Sequence, residues 1–225
     1  MDPPEFWPDC GTQSERDSIN ELLPGKLFLT NFRGSENREA LLELGVTNIV
    51  RVNQADGCEE FSDFRYLCID VEDLEDAAEN LSKSFGEAND FILNAKGGVV
   101  VHCAAGISRS TTVVLAYLMK LHKMPLIDAF RLCYKARRVV WPNDGFMRAL
   151  IKYEFMLFNK NTLHIEEYVA WGDYTPPEDT PIQTSHLTKS ESMSPKILAK
   201  QIDRTFSDAM PTQMDSRLPP SRLSR

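Results

Sequence analysis

Apolar and polar positions along the first half of the chain predict short strands with a helix between them. Apolar runs at residues 27–29, 46–52 and 64–71 are typical of β-strands bounded by turn residues. Between the first two runs, Ser35 is expected to cap a helix that ends at Gly45. This succession of strand, helix and strand is typical of an α/β unit.

The second half of the pattern places one wholly apolar strand among helices. Apolar residues recur at helical spacing over residues 81–92, which predicts one helix with a single buried face. Residues 99–101 form a continuous run of valines, as expected for a strand that is buried on both faces. Further apolar helices follow, the last of them over residues 145–158. We therefore predict an α/β fold in which helices flank a central, mostly parallel sheet.

The composition supports one folded domain with less ordered ends. The chain has 225 residues, of which 42% are hydrophobic, and this is enough for a genuine core. We expect a flexible N-terminal arm over residues 1–18 and a folded domain over residues 19–158. Residues 159–225 are rich in Ser, Thr and Pro and are expected to form a disordered tail. Within this tail, two apolar segments are candidates for docking: residues 163–171, and Ile197-Leu198 with Ile202 and Phe206.

Charge and cysteine content exclude several classes of protein. The formal net charge of −8 argues against general nucleic-acid binding, because a phosphate backbone needs a cationic face. Five cysteines occur without CxxC or metal-ligand spacing, which predicts reduced thiols and no metal site. The N-terminus lacks the pattern of a secretory signal, and no stretch reaches the ~18 apolar residues of a membrane span. These features favour a cytoplasmic and/or nuclear protein.

The candidate chemistry lies between the valine strand and the helix that follows it. The segment His102-Cys-Ala-Ala-Gly-Ile-Ser-Arg-Ser110 has five residues between a cysteine and an arginine. A short loop that enters a helix N-terminus presents backbone N–H groups to an anion, and the helix dipole adds positive potential. Arg109 can hold two phosphate oxygens in a bidentate fork. The same field favours the thiolate of Cys103, which is its nucleophilic form.

This pattern predicts a role for each position of the loop. Cys103 is the expected nucleophile, and Ser110 can offer its hydroxyl to the sulfur and ease its departure in a second step. His102 is expected to shape the loop rather than to act as a base. The residues expected to bind the substrate phosphate are Ala104, Ala105, Gly106, Ile107, Ser108 and Arg109.

The same segment resembles the signature of the dual-specificity branch of the protein tyrosine phosphatases. The likeness extends over residues 19–158, through Pro142-Asn-Asp-Gly-Phe146, and is greatest to the small single-domain members. It implies the cysteine-dependent phosphatase fold and a protein phosphatase that needs no cofactor. Its substrates would carry phosphotyrosine and phosphoserine or phosphothreonine, hydrolysed through a phosphocysteine. It also implies phosphoprotein partners, protein kinases among them; Thr175, Thr180 and Ser194 each precede a proline in the tail, as proline-directed kinases require.

A general acid must protonate the leaving oxygen, and three aspartates follow the strand predicted at 64–71. Of Asp70, Asp73 and Asp76, the resemblance favours Asp73. The resemblance also identifies Asn143 as a brace of the phosphate loop, with a simple turn residue before the last helix as the alternative. Ala149 departs from the family, in which many members carry glutamine at that position.

Charged residues near the loop bear on the substrate. No lysine lies between Cys103 and Arg109, whereas phosphoinositide phosphatases of the superfamily tend to carry lysines there. Ten acidic residues and one arginine lie between Asp56 and Glu79, which favours phosphopeptides with neutral or basic flanks or forms only a solvated face. A candidate basic docking patch contains Lys135, Arg137, Arg138 and Arg148.

Two other hypotheses about function remain open. The chain is alternatively a phosphatase for lipid, glycan or RNA-end phosphates, or a catalytically silent phosphate-binding scaffold. Cys68, in the strand before the candidate acids, is a further candidate to trap oxidised Cys103 as a disulfide.

Overall fold

The computed structural model describes residues 12–53 and 60–172. Over these residues a five-stranded sheet is formed by β1 (Asn20–Leu23), β2 (Leu27–Asn31), β3 (Val46–Val52), β4 (Arg65–Ile69) and β5 (Gly98–Cys103). The strand order is β1-β2-β5-β3-β4; β1 is antiparallel to β2, and the other neighbouring pairs are parallel. The predicted α/β fold with a mostly parallel sheet is therefore confirmed.

Helices connect and flank these strands. They are α1 (Gln13–Asp17), α2 (Phe32–Ser35), α3 (Arg38–Glu43), α4 (Ala78–Lys83), α5 (Phe85–Leu93), α6 (Arg109–His122), α7 (Leu126–Ala136), α8 (Asp144–Phe158) and α9 (Ile165–Gly172), with a 3-10 turn at Glu75–Ala77 before α4. None of the helices in the described ranges is long and apolar enough to cross a membrane.

Two details of the helix prediction were wrong. Asn37 rather than Ser35 caps α3, because the Asn37 side-chain oxygen accepts a hydrogen bond from the Ala40 amide at 3.2 Å. The single helix predicted over residues 81–92 is two helices, α4 and α5, that meet at Ser84. The predicted apolar face is nevertheless buried across both helices.

The core places the loop after β5 at the carboxyl end of the central strand of the sheet. All six residues of β5 are buried, as predicted for a strand covered on both faces. One face of the sheet packs in a cluster around Phe28, Ile49 and Val100. On α6, every residue from Ser110 to Met119 is buried. Because β5 is flanked by the parallel strands β2 and β3, the loop between β5 and α6 lies where ligands of open α/β sheets usually bind.

An ordered helix lies beyond each end of the predicted folded domain, residues 19–158. In α1, which lies in the predicted arm, Thr12 and Glu15 form a reciprocal capping box. In α9, which lies in the predicted tail, Tyr168 is fully buried. Such short helices are marginal in isolation, so their stability comes from tertiary contacts that the sequence pattern does not show. The rest of the predicted arm and tail, residues 1–11 and 173–225, lies outside the described residues, and so do Thr175, Thr180 and Ser194.

Candidate active site

Cys103 is the last residue of β5, and its side chain is almost completely buried. Two donors reach its sulfur: the Gly106 amide and the Ser110 hydroxyl, each with its donor atom 3.2 Å from Sγ. Hydrogen bonds to a charged form stabilise it, so both contacts favour a thiolate. The structure therefore brings the predicted nucleophile and Ser110 together.

Four consecutive carbonyl groups of the loop, those of residues 104–107, face its outer side. Each accepts a hydrogen bond from outside the loop: Ala104 from the Phe32 amide, Ala105 and Gly106 from the Arg137 guanidinium, and Ile107 from the Trp141 amide, at 3.2, 3.2, 2.8 and 2.9 Å. In a trans peptide the N–H group points opposite to the preceding carbonyl. The N–H groups of residues 105–108 are thereby turned inward, and such a concave set of amides is able to bind an anion, which is the role that the sequence predicts for this loop.

Gly106 meets two backbone requirements at once. Its φ of +65° lies in the left-handed region that side chains disfavour. A Cβ added here would lie 2.5 Å from the Thr30 carbonyl oxygen of the neighbouring strand β2. The loop therefore packs directly against β2, and only glycine fits at this turn.

Arg109 begins α6 and lies between the loop and the segment that follows β4. Its Nη1 donates to the Val71 carbonyl oxygen at 3.2 Å, and its Nε lies 3.5 Å from Asp73 Oδ2. The guanidinium is mostly shielded from solvent, which strengthens its attraction for an anion. Arg109 therefore lies at the rim of the loop, where the sequence predicts a phosphate clamp.

Asp73 is joined to the phosphate loop by two hydrogen bonds. Its Oδ1 accepts from the Ser108 hydroxyl at 2.7 Å and from the Asn143 side-chain amide at 2.9 Å. Ser108 in turn accepts from the Asn143 backbone amide at 3.0 Å. Asp76, by contrast, lies in the 3-10 turn. Of the three candidate acids, the structure connects Asp73 to the loop.

Asn143 combines the two roles that the sequence left open. Besides its bond to Asp73, its Oδ1 accepts from the Phe146 amide at 2.9 Å and so caps α8. The next turn also holds the acid segment, because a Cβ added at Gly145 would lie 2.2 Å from the Glu75 carbonyl oxygen. Gly145 was not predicted as part of the site, although its place in Pro142-Asn-Asp-Gly145 gave a signal for a tight backbone approach.

His102 lies on the opposite face of the sheet from Cys103, because successive strand residues alternate in direction. It is buried and lines a cavity of about 220 Å³ together with Phe32, Arg51 and Tyr66. Through the strand register, Arg51 aligns with both His102 and Cys68. Cys68 therefore occupies the same face as His102, two strands away from β5.

The hypothesis that Cys68 traps oxidised Cys103 does not fit this arrangement. Two strand spacings separate β4 from β5, roughly 9–10 Å. A disulfide needs Cα atoms no more than about 7 Å apart with side chains that face each other. The two thiols face opposite sides of the sheet, so the pairing would require the strands to rearrange.

The sequence prediction was wrong about Arg137 and missed its neighbours. Arg137 was assigned to an exposed docking patch, but only 2% of its surface is exposed and its guanidinium contacts the loop. Trp141 supports the loop through its backbone amide, and the Tyr168 hydroxyl donates to the Pro142 carbonyl oxygen at 2.6 Å. These contacts join backbone atoms to groups that are distant in the sequence, and no local motif marks them.

A central parallel strand that ends in a buried cysteine, an anion-binding loop and an arginine at the start of an apolar helix define the class of cysteine-dependent phosphatases. The family described as "Dual specificity phosphatase, catalytic domain" matches residues 27–156. The chain belongs to this family, within the protein tyrosine phosphatase superfamily.

Individual relatives agree with this assignment. Dual specificity protein phosphatase 18 of Rattus norvegicus is 35% identical over 164 residues, which cover 71% of this chain and 79% of the rat protein. MAP kinase phosphatase with leucine-rich repeats protein 3 of Dictyostelium discoideum is 40% identical over 154 residues, 66% of this chain but 17% of that much longer protein.

A solved structure agrees as well. The crystal structure of human tyrosine phosphatase-like serine/threonine/tyrosine-interacting protein has 34% sequence identity and a TM-score of 0.58, and the match covers 63% of this chain and 98% of that one.

Proposed function

We propose that this chain is a protein phosphatase that hydrolyses phosphotyrosine and phosphoserine or phosphothreonine through a phosphocysteine at Cys103. The observation that carries the proposal is the loop itself. Four consecutive carbonyls are held outward, so the amides converge on the side where two hydrogen bonds reach the sulfur. Such a site neutralises a phosphate dianion and keeps its nucleophile ionised.

In the first step, the Cys103 thiolate attacks phosphorus while the loop amides and Arg109 hold the phosphate oxygens. A P–S bond forms and the P–O bond to the substrate breaks. Asp73 gives its proton to the leaving oxygen, which departs as an alcohol or phenol. The bonds from Ser108 and Asn143 to Asp73 hold this carboxyl group beside the loop.

In the second step, the Asp73 carboxylate takes a proton from water, and the water oxygen attacks the phosphocysteine. A P–O bond forms, the P–S bond breaks, and inorganic phosphate leaves. The Ser110 hydroxyl, which already lies 3.2 Å from Sγ, stabilises the sulfur as it departs as a thiolate. The cycle needs no cofactor.

The acidic rim favours phosphopeptides with neutral or basic flanks as substrates. Residues 72–76, on the segment that carries Asp73, are all exposed and include four carboxylates. This charge repels polyanionic lipids and RNA ends. Phosphorylated protein kinases are the substrates we propose first, because the similar Dictyostelium protein is named a MAP kinase phosphatase.

Measuring phosphate release from three substrate classes tests the proposal. The purified full chain and its Cys103→Ser variant are given phosphotyrosine and phosphothreonine peptides, an inositide panel and a chromogenic aryl phosphate. We expect peptide and aryl turnover in the native chain and none in the variant, which still binds phosphopeptide. Turnover of inositides alone would indicate a lipid phosphatase, and binding without any turnover would indicate a scaffold.

We also propose a cytoplasmic or nuclear location. Cys68, Cys103 and Cys133, the cysteines in the described part of the chain, are all free thiols, as expected in a reducing compartment. Fluorescence microscopy of a tagged full chain tests this, and retention in the secretory pathway would contradict it.

A further inference from the structure

Arg137 is a buried, fully engaged arginine on the outer side of the phosphate loop. It follows the last residue of α7, and only 2% of it is exposed. Its five N–H donors reach six oxygens: Nε bonds Gly106 O (2.8 Å), Nη2 bonds Arg16 O (2.7 Å) and Ala105 O (3.2 Å), and Nη1 bonds Asn20 Oδ1 (2.9 Å), Ser18 O (3.3 Å) and Glu15 O (3.4 Å). A buried charge is tolerated only when its donors are satisfied, so this pocket is built for a guanidinium.

One half of the pocket belongs to α1. The carbonyls of Glu15, Arg16 and Ser18 lie at the C-terminal end of this helix, where backbone acceptors run out of helical partners. Arg137 donates to the Arg16 carbonyl, and it adds a further donor to the carbonyls of Glu15 and Ser18. The Glu15 carbonyl also accepts from the Ser18 hydroxyl at 2.6 Å, and the Ser18 carbonyl accepts from the Thr30 hydroxyl at 2.8 Å. The family match begins at residue 27, so α1 lies outside the part of the chain that is recognised as the catalytic domain.

The other half of the pocket belongs to the phosphate loop. Arg137 holds the Ala105 and Gly106 carbonyls outward, and these two bonds turn the next two amides inward. Gly106 has a positive φ, and its own amide contacts Cys103 Sγ. Arg137 therefore bonds to the loop at Gly106 and at the residue before it, where the backbone turns.

Arg137 also places a positive charge behind the sulfur. Burial lowers the pKa of Arg137 to about 10, and negative charges at Cys103 and Asp17 raise it in part, so the guanidinium is protonated at neutral pH. The attraction is mutual, so the cation favours the Cys103 thiolate. The other charged groups around the loop are Arg109 and Asp73 on its open side, and Arg33, 3.9 Å from Asp17, beside α1.

We propose that Arg137 is a positioning residue for the phosphate loop, and that α1 is part of the catalytic unit because its carbonyls hold Arg137 in place. The inference rests on the proposed function, since it concerns the same loop and the same sulfur. It goes beyond that function by assigning the site a support from outside the family's catalytic domain.

Two full-length variants of Arg137 test the proposal. Aryl phosphate turnover is measured against pH, and alkylation of Cys103 by iodoacetamide is followed against pH by mass spectrometry. We expect Arg137→Met to lower kcat/KM about 100-fold, as a loop displaced by an ångström would. Alkylation of Cys103 should need a higher pH than in the native chain, because a nearby positive charge is lost.

Arg137→Lys separates the charge from the hydrogen bonds. An ammonium keeps the charge but cannot span both carbonyls as a guanidinium does. We therefore expect an alkylation midpoint close to that of the native chain with kcat/KM still about tenfold low. A folded Arg137→Met chain with native kcat/KM and a native alkylation midpoint would overturn the proposal.

A pair of proline variants tests α1 and also decides the matter if Arg137→Met does not fold. Arg16→Pro removes the bond from the Arg16 amide to the Thr12 carbonyl oxygen, 3.0 Å long, inside the helix. Gln13→Pro is the matched control, because proline is accepted at the first helical position and Thr12 before it is already extended (ψ 162°). Arg16→Pro should show a raised alkylation midpoint and a kcat/KM at least tenfold below that of Gln13→Pro. Equal values for the two would overturn the role of α1.

Cys103→Ser distinguishes a failure of this inference from a failure of the proposed function. If Cys103→Ser keeps native turnover, the phosphocysteine mechanism itself is wrong. If Cys103→Ser is inactive while Arg137→Met and Arg16→Pro behave like the native chain, only the inference about Arg137 fails.

Discussion

The phosphate loop has two sides that are built in different ways. Its open side consists of residues that are close in sequence: Cys103, the amides of 105–108, Arg109 and Ser110. Its outer side is held by groups from elsewhere in the chain, including the Phe32 and Trp141 amides and the Arg137 guanidinium. The open side supplies the chemistry, whereas the outer side fixes the direction in which every loop amide points.

This difference has a consequence for how mutations act. A change on the open side removes a group that touches the phosphate or the leaving oxygen. A change on the outer side leaves those groups present but displaces them, and displacement by an ångström is enough to cost about 100-fold in rate. Mutations on the two sides should therefore differ in two measurable ways. They should differ in which phosphate substrates are turned over more slowly, and in how much the free energy of unfolding changes.

After the loss of Cys103 itself, the largest effect is expected from Asp73→Ala, which removes the proposed general acid that faces the open side of the loop. We expect kcat for phosphoserine and phosphothreonine peptides to fall by about 10²–10⁴, because an alkoxide leaving group needs its proton. An aryl phosphate with a good leaving group should be affected far less. Steady-state kinetics with both substrates measures the ratio.

Asp70→Ala and Asp76→Ala are the controls for that variant. Both aspartates lie on the same exposed segment, and neither change should alter the ratio of alkyl to aryl turnover. If either control reproduces the selective defect, the general acid has been assigned to the wrong carboxylate.

The segment that carries Asp73 can also be displaced by a change in a neighbouring helix, Gly145→Ala in α8. A Cβ at Gly145 would lie 2.2 Å from the Glu75 carbonyl oxygen, so α8 or the segment carrying Asp73 must move. We expect kcat/KM for phosphothreonine peptides to fall about 10- to 100-fold while every catalytic side chain is retained. Kinetics and thermal unfolding on the same preparation measure both consequences.

Gly86→Ala is the matched control for Gly145→Ala. No atom lies within 4 Å of a Cβ added at this exposed position of α5. Alanine should stabilise that helix by about 0.5–1 kcal/mol and leave the kinetics unchanged. Native kinetics in Gly145→Ala would mean that the helix start does not position the acid.

The same contrast explains how much of the molecule could be predicted from the sequence. The valine strand, the loop and the apolar helix follow one another directly, so their periodicity and spacing predicted the candidate nucleophile, the candidate clamp and the position of the loop at the end of the central strand. The choice of Asp73 among three aspartates needed a resemblance to a family, because spacing alone does not say which carboxylate faces the loop.

The outer side could not be predicted for physical reasons. Its acceptors are backbone carbonyls, which carry no residue signature, and their donors come from up to about seventy residues away along the chain. A basic residue after a helix is usually exposed, so Arg137 was assigned to the surface. The helices α1 and α9 are too short to be recognised without the partners that stabilise them.

A smaller effect on the outer side is expected from Tyr168→Phe. Tyr168 is fully buried, and its hydroxyl donates to the Pro142 carbonyl oxygen at 2.6 Å, next to the residue that holds Asp73. Removing the hydroxyl leaves a buried carbonyl without that donor, which should lower the free energy of unfolding by about 1–3 kcal/mol. Urea unfolding of the full chain measures the loss.

Tyr153→Phe is the control for Tyr168→Phe. The Tyr153 hydroxyl only accepts a long bond of 3.4 Å from the Asn89 amide, away from the loop. We expect a smaller loss of stability and no change in kcat. If Tyr168→Phe is no less stable than Tyr153→Phe, then α9 is not a brace of the site.

The smallest expected effect concerns the acidic rim of the open side. Replacing Glu75 and Asp76 by Gln and Asn removes two exposed carboxylates beside Asp73 without changing its contacts. Exposed charge interactions are worth at most about 1 kcal/mol, so the preference for basic over acidic phosphopeptides should fall about two- to fivefold. The preference of the native chain should also weaken in high salt, because surface charges are screened. The double variant Glu87→Gln with Asp90→Asn removes two exposed carboxylates from α5 and so controls for net charge. An unchanged preference after the change at Glu75 and Asp76 would mean that these carboxylates form only a solvated face and that substrate choice is made inside the loop.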